Sequence, residues 1–317
     1  MKYLKLTDRL LKIASLVDKD KRLADIGTDH GYIPVYLLNK NTIQYAILGD
    51  VNKGPLDNAK KEVMRNNLID KVDLRLGSGI EVLKPNEVDE IIIAGMGGML
   101  INDILKANEA VAHTTEKLIL QPMQAPEELR MFLYKNGYKI IDEHLVREEH
   151  RLYEIIECKY EGLKEQDIEP IYYEIGQKLI EKQDPLLKDF IENKIRINEN
   201  ILRKLDGKDG DAVSHRKSII NKKIEELNNL LNSYIFLLWN AKFQRFAFFI
   251  SRLIVLFAQN RSAMNDMDYM LTQLIRLPPQ LIPVTARYMV PGLCIGATVA
   301  YLCSTIGLMV SERSEFN

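Results

Sequence analysis

What most limits the folds open to this chain is a repeat: between Arg22 and Tyr160, short β-rich runs alternate with helical stretches. Such alternation builds a parallel sheet covered by helices on both faces, because a parallel crossover needs a dozen or more residues and a helix supplies them. The runs fall at 22–28, 44–51, 71–78, 90–96 and 116–122. Between them lie stretches such as 54–67 and 125–137; the latter carries Pro126 in its first turn and stops at Gly137. Two further runs, 138–146 and 151–160, are too close for a crossover and are expected to pair antiparallel. The expectation is an α/β chain with a doubly wound Rossmann-like sheet, five parallel strands closed by an antiparallel pair.

The 317 residues exceed one such domain, and the texture changes twice beyond it. From about 170 to 234, apolar residues recur every three or four positions around a turn at 207–211, predicting two antiparallel helices in a coiled-coil hairpin. Beyond 234 the chain is apolar. Residues 235–258 keep Lys242, Arg245 and Arg252 on one side of a helix, as an amphipathic membrane-surface segment would. Residues 288–310 carry no charge and reach bilayer-spanning length, although Pro291 and glycines interrupt them. The organisation read from sequence is therefore 1–162, 163–234 as a hairpin aiding substrate binding, and 235–317 as an apolar helical tail, membrane-associated or otherwise. The N-terminus interleaves charges with apolar residues and lacks a signal-peptide core, so the catalytic part is expected in the cytoplasm. Cys158, Cys294 and Cys303 fit no disulfide framework, and five scattered histidines suggest no metal ligand set. A net charge of −1 restricts any polyanion site to a local patch.

Strand ends at the carboxyl edge of an open α/β sheet are where ligands bind, and each end here carries a chemical signature. The first reads Asp25-Ile26-Gly27-Thr28-Asp29-His30-Gly31, an acidic strand end opening into a glycine turn that lets backbone approach a nucleotide. The second ends at Asp50, followed by Val51, and places a carboxylate where ribose hydroxyls would donate to it. Neither a complete G-x-G-x-x-G nor a G-x-x-x-x-G-K-[ST] accompanies them, which favours a nucleoside without phosphates over NAD or ATP. The third ends in Gly77-Ser78-Gly79, a turn able to touch an adenine edge. The fourth ends in Gly95-Met96-Gly97-Gly98, inviting close approach of a planar group, and the fifth in Gln121-Pro122, where an amide offers a donor and an acceptor. Asp29 reads equally as a carboxylate for developing positive charge or as a helix cap, and Tyr32 equally as a base contact or as core.

Taken in order, 24–34, 49–60, 77–83, 91–105 and 118–138, with the hairpin after 170, resemble the bacterial tRNA adenine-N1 methyltransferase family that acts at adenine 22, the TrmK family. The resemblance covers residues 1 to about 234. It implies S-adenosyl-L-methionine as cofactor, a tRNA substrate and no metal. On it, Asp25, Gly27, Thr28, Gly31, Asp50, Val51, Gly77, Ser78, Gly79, Gly95 and Met96 are expected at the cofactor. Gly97, Gly98, Gln121 and Pro122 are expected at the substrate, and Asp29, His30 and Tyr32 at the reacting base. The family commonly has Asp in place of Ser78 and Asn in place of Met123. Two rival readings are a methyltransferase of a protein or small molecule, and a non-catalytic nucleotide-binding module tethered by the tail.

Overall fold

A computed structural model describes residues 5–258, the last twenty of them as helix backbone. The chain divides into two compact units, Met1–Tyr234 and Ile235–Asn317. In the first, α1 (Asp8–Ser15) leads into β1 (Leu23–Ile26), α2 (Tyr32–Asn39), β2 (Ala46–Asp50), α3 (Lys53–Arg65), β3 (Val72–Leu76), β4 (Glu90–Gly97), α4 (Gly98–Ala107) and α5 (Glu109–Thr114). Then come β5 (Lys117–Gln124), α6 (Pro126–Lys135), β6 (Tyr138–Glu148) and β7 (Arg151–Tyr160). The seven strands form one sheet in the order β3-β2-β1-β4-β5-β7-β6. β1 to β5 pair parallel, and β7 pairs antiparallel with both β5 and β6. The strand order reverses between β1 and β4, which creates the crevice at the carboxyl edge.

Side chains alternate across the strands and feed two cores. Ala24, Ile26, Ile91, Ile93, Leu118 and Leu120 pack under α4 to α6. Leu23, Leu48, Ile92, Ile119 and Ile155 pack with residues of α1 to α3 on the opposite face. β1 stops at Ile26, short of the run read from sequence, because Gly27 turns the chain at φ +77°. β4 and β5 run further than expected, to Gly97 and Gln124, across a bulge where Gly95 takes φ +82°. The β6–β7 turn is shorter than the four residues read from sequence: only Glu149 and His150 lie outside the strands, with Glu149 at φ +54°.

Beyond β7 the expected first helix of the hairpin is broken. α7 (Ile171–Glu174) and α8 (Gln177–Glu181) are separate turns, split at Gly176, and Gln183 at φ +55° precedes Pro185. A proline restricts its predecessor away from helix, so α9 starts only at Leu187 and runs to Leu205. α10 (Asp211–Ala258) follows. The Tyr234 hydroxyl donates to the Asp184 carbonyl at 3.0 Å, so α10 returns to the start of α9 and the pair is antiparallel. Phe190, Ile191 and Ile195 of α9, and Ile220 and Leu227 of α10, are buried. No helix among the described residues is long and apolar enough to cross a membrane; the run 288–310 lies outside those residues.

Candidate active site

The turn after β1 is built from inside. Gly27 and Thr28 both donate backbone N–H groups to the Gly49 carbonyl of β2, at 2.8 and 3.3 Å. The Thr28 hydroxyl accepts the Gly31 N–H at 3.1 Å and also bonds to Asp25. Gly31, at φ +65°, is the N-cap of α2, and no side chain caps that helix. Asp29 therefore does not serve as its cap. Its side chain is 73% exposed and approaches His30 Nε2 at 3.3 Å. The His30 ring stacks on Tyr32, with centroids 4.9 Å apart, while Tyr32 also leans on the core beneath α2. Asp29, His30 and Tyr32 thus form one partly exposed, partly aromatic lip beside the switch point.

Two carboxylates sit below that lip. Burial pushes the Asp25 carboxyl up to about 6; the Thr28 hydrogen bond opposes the shift and the Asp50 charge adds to it. A buried acid under this strain is a natural partner for a cation, which would relieve the desolvation cost. Asp50 Oδ1 accepts the Asn52 N–H at 2.7 Å, and its other oxygen makes no protein hydrogen bond among the described residues. That oxygen can accept from a diol.

Next to Asp50, Val51 is 63% exposed and Leu76, its neighbour at the end of β3, is 62% exposed. Two bare apolar side chains flanking a free carboxylate suit a nucleoside, with the ring against the ledge and the ribose on the acid. Gly77 is fixed by its N–H to the Asp50 carbonyl at 3.0 Å. Ser78 is exposed and makes no cap hydrogen bond, so its hydroxyl is free. Gly79 is a packing residue, since an added Cβ would lie 2.9 Å from Ile104.

The four residues from Gly95 at the end of β4 to Gly98 at the start of α4 separate into two roles. A Cβ on Gly95 or Gly97 would meet nothing within 4 Å, whereas one on Gly98 would lie 2.2 Å from the Ala125 carbonyl. Gly98 therefore lets α4 pack against the β5–α6 turn, and Gly95 and Gly97 border open space. Met96 turns the other way: a Cβ on Gly27 would collide with its methyl, so the thioether lies across the β1 turn. Pro122 is buried within β5, opposite Met96. Gln121 is fully buried, and its amide is already engaged: Oε1 accepts from Arg9 Nη1 at 2.7 Å and Nε2 donates to the Pro122 carbonyl at 2.9 Å. The structure thus places Gln121 as a support under the edge, with its hydrogen bonds spent inside the protein.

Sequence reasoning missed four contributors. Leu76, exposed Met99 and exposed Met123 supply apolar surface along the edge, which an outward residue in a short strand or helix start does not signal. Arg9 reaches Gln121 across 112 positions of sequence. The histidines read as scattered include one that joins two carboxylates. Asp142, His144 and Glu157 converge with ligand atoms within 4.8 Å of one another, because β6 and β7 pair across the sequence gap. The Lys182 ammonium lies 2.9 Å from Asp142 and 3.0 Å from His144 Nδ1, supplying a cation to that cluster.

Comparison with known proteins agrees with this geometry. A family model described as "Methyltransferase domain" matches residues 6–156. The chain is similar to the tRNA (adenine(22)-N(1))-methyltransferase of Bacillus subtilis, 40% identical over 156 residues, which cover 49% of this chain and 66% of that protein. It is similar to the crystal structure of the B. subtilis tRNA methyltransferase TrmK, with TM-score 0.65 and 29% identity over 72% of this chain and 99% of that one. A Streptococcus pneumoniae putative tRNA methyltransferase solved in complex with S-adenosyl-L-methionine gives TM-score 0.63 and 28% identity over 72% of this chain and 100% of that one. The chain spans about two thirds of the length of the curated relatives it matches, from 66% to 68%. With a methyltransferase sheet and these relatives, the chain belongs to the TrmK family of tRNA methyltransferases.

Proposed function

We propose that this protein transfers a methyl group from S-adenosyl-L-methionine to N1 of adenine 22 in tRNA. The observation that carries the reading is the division of the crevice. An Asp50 carboxylate with one oxygen free, beside bare Val51 and Leu76, occupies the β2–β3 side, and on the other side open space lies over Gly95 and Gly97 at the end of β4, the strand next to β1 and its Asp29–His30–Tyr32 lip. One half suits a nucleoside cofactor and the other a planar base.

S-adenosyl-L-methionine, when bound, supplies an electrophilic sulfonium methyl that a neutral ring nitrogen can take in one displacement, so no strong base is obligatory. Asp50 would hold the ribose, and Val51, Leu76, Gly77 and Ser78 the adenine side. Asp25, Thr28, Gly31 and Met96 would border the amino-acid end, where the strained Asp25 carboxyl favours an ammonium. Gly95 and Gly97 leave room for a base extruded from the tRNA, the step that exposes a Watson–Crick edge. His30 and Tyr32 offer a stacking face. Asp29, solvated in the free protein, would be covered by arriving RNA, and its carboxylate then stabilises the positive charge that develops on the methylated ring. Positioning supplies the largest share, since holding two reactants aligned can be worth several kcal/mol.

The α9–α10 hairpin would help hold tRNA, and the tRNA substrate would place the reaction in the cytoplasm. Residues 235–317 are proposed as an accessory segment with a membrane contact through their apolar runs. Incubating the protein with labelled S-adenosyl-L-methionine and separate pools of tRNA, protein and small metabolites tests the reading. Label is expected in tRNA alone; label in another pool instead would overturn it.

A further inference from the structure

The half of the crevice assigned to the target base holds an arginine whose charge is poorly spent. Arg9 sits in the first turns of α1 and is half-buried. Its Nη1 donates to the neutral Gln121 amide at 2.7 Å, and its guanidinium lies 5.4 Å from the Tyr153 ring centroid. Its Nε is enclosed without a hydrogen-bond partner, and Nη2 bonds to nothing among the described residues. Glu148 is near enough to feel the charge. Thr7, the Arg9 N–H and that charge together hold its carboxyl low against the opposing effect of burial. Yet Glu148 Oε2 accepts the Arg9 backbone N–H at 2.9 Å, and no carboxylate among the described residues forms an ion pair with the guanidinium. A planar fork of five donors that meets one neutral acceptor is a receptor lacking its oxyanion.

The fold says which oxyanion. Gln121 pairs in register with Ala94 on β4, and Tyr153 is the third residue of β7, whose antiparallel course brings its first residues to the carboxyl edge of β5. Alternation puts Gln121 and Tyr153 on the face of Ile119 and Ile155, the side covered by α1 and α2 and therefore the side of His30 and Tyr32. Asp50 and Gly77 lie on β2 and after β3, across β1 from this point. An anion reaching Arg9 thus arrives with the base and not with the adenosine half of the cofactor.

We propose that Arg9 receives a backbone phosphate flanking the adenosine to be methylated, with Gln121 and Tyr153 holding the guanidinium in place so that it sets how deeply the base enters. This rests on the tRNA reading above. It adds a phosphate contact to a site whose sequence motifs contain none, and gives the Gln121 amide a task its burial otherwise leaves unexplained.

The test uses the full-length protein at saturating S-adenosyl-L-methionine, with native tRNA and two tRNAs carrying an uncharged methylphosphonate at the phosphate before or after the target adenosine. Wild type is expected to lose about tenfold or more in kcat/KM on one of the two, the loss that follows a charged hydrogen bond. Arg9→Gln should lose as much on native tRNA and nothing further on the uncharged substrate. Its affinity for S-adenosyl-L-methionine should be unchanged by calorimetry. Arg9→Lys should recover part of the rate through charge alone. Equal activity of wild type on all three tRNAs overturns the proposal even if Arg9→Gln fails to fold. Independent, multiplying losses overturn it too, as does a fall in cofactor affinity with no phosphate effect, which would assign the anion to the cofactor carboxylate. If native tRNA is not methylated at all, the functional reading fails as well; an active wild type without the coupling removes only Arg9.

Discussion

At the scale of single residues, neighbouring glycines in one motif divide between packing and function. Gly98 sits against the Ala125 carbonyl, so Gly98→Ala is expected to cost about 1–3 kcal/mol through a backbone clash. Gly97 borders open space at φ −69°, so Gly97→Ala should cost no more than about 1 kcal/mol, the penalty of an alanine N-cap. It should nonetheless lower turnover by crowding the base. Urea unfolding and single-turnover rates on both variants separate the roles; equal stability losses would contradict them.

Asp25 gives a pH signature. Its folded pKa, raised to about 6 from 3.8, means the folded state holds its proton more tightly, so its contribution to stability is full below about pH 4 and declines as pH rises through 6. The shift corresponds to roughly 3 kcal/mol. The stability of Asp25→Asn relative to wild type should therefore rise by about that amount between pH 4 and pH 7, while its cofactor affinity falls. Parallel pH–stability curves for the two proteins would contradict the buried, uncompensated carboxylate. The acidic strand end was legible in the sequence, since Asp before a glycine turn is a local pattern. That Gly98 serves packing, and that Gln121 turns inward to Arg9, depend on partners 27 and 112 positions away that no local pattern encodes.

At the scale of elements, the strands were legible because burial on both faces demands continuous Ile, Leu and Val, and five such runs leave little freedom. Their ends were less so, since β1 stops where Gly27 turns and β5 continues through Pro122. The broken start of the hairpin was hidden for a related reason: Leu179 and Leu186 keep helical spacing, while Gly176 and Pro185 interrupt the backbone.

That broken segment is tied down by charge. Arg130, fully buried in α6, bonds Glu143 of β6 and Glu154 of β7 at 2.6 Å each, and donates to the Tyr173 carbonyl at 3.1 Å. Lys194 of α9 lies 3.8 Å from Glu154 and 3.5 Å from Glu174, which also pairs with Lys223 of α10. The series links the sheet to both hairpin helices. Arg130→Ala leaves the buried Glu143 without its cation and Glu154 with only the more distant Lys194, and is expected to cost about 3–5 kcal/mol. Thermal unfolding reads this; a loss below about 1 kcal/mol, the range of a surface pair, would contradict it.

At the scale of the whole molecule, every residue assigned to the crevice, from Arg9 to Met123, belongs to the unit ending at Tyr234. A protein cut after Tyr234 is therefore expected to keep its cofactor affinity and its methylation rate per molecule, and to lose any association with lipid vesicles. A lower rate would show that the tail contributes to catalysis. The apolar character of that tail was plain in the sequence, but hydrophobicity alone does not name what covers it.

The central claim is that a tRNA adenine accepts the methyl group. The most direct measurement is mass spectrometry of nucleosides after incubating the full-length protein and S-adenosyl-L-methionine with two transcripts of one tRNA, identical except that adenine 22 is replaced by guanine in the second. The expected result is one equivalent of 1-methyladenosine in the first transcript and none in the second. Methylation of both to the same extent, of a different nucleoside, or of neither would contradict the account.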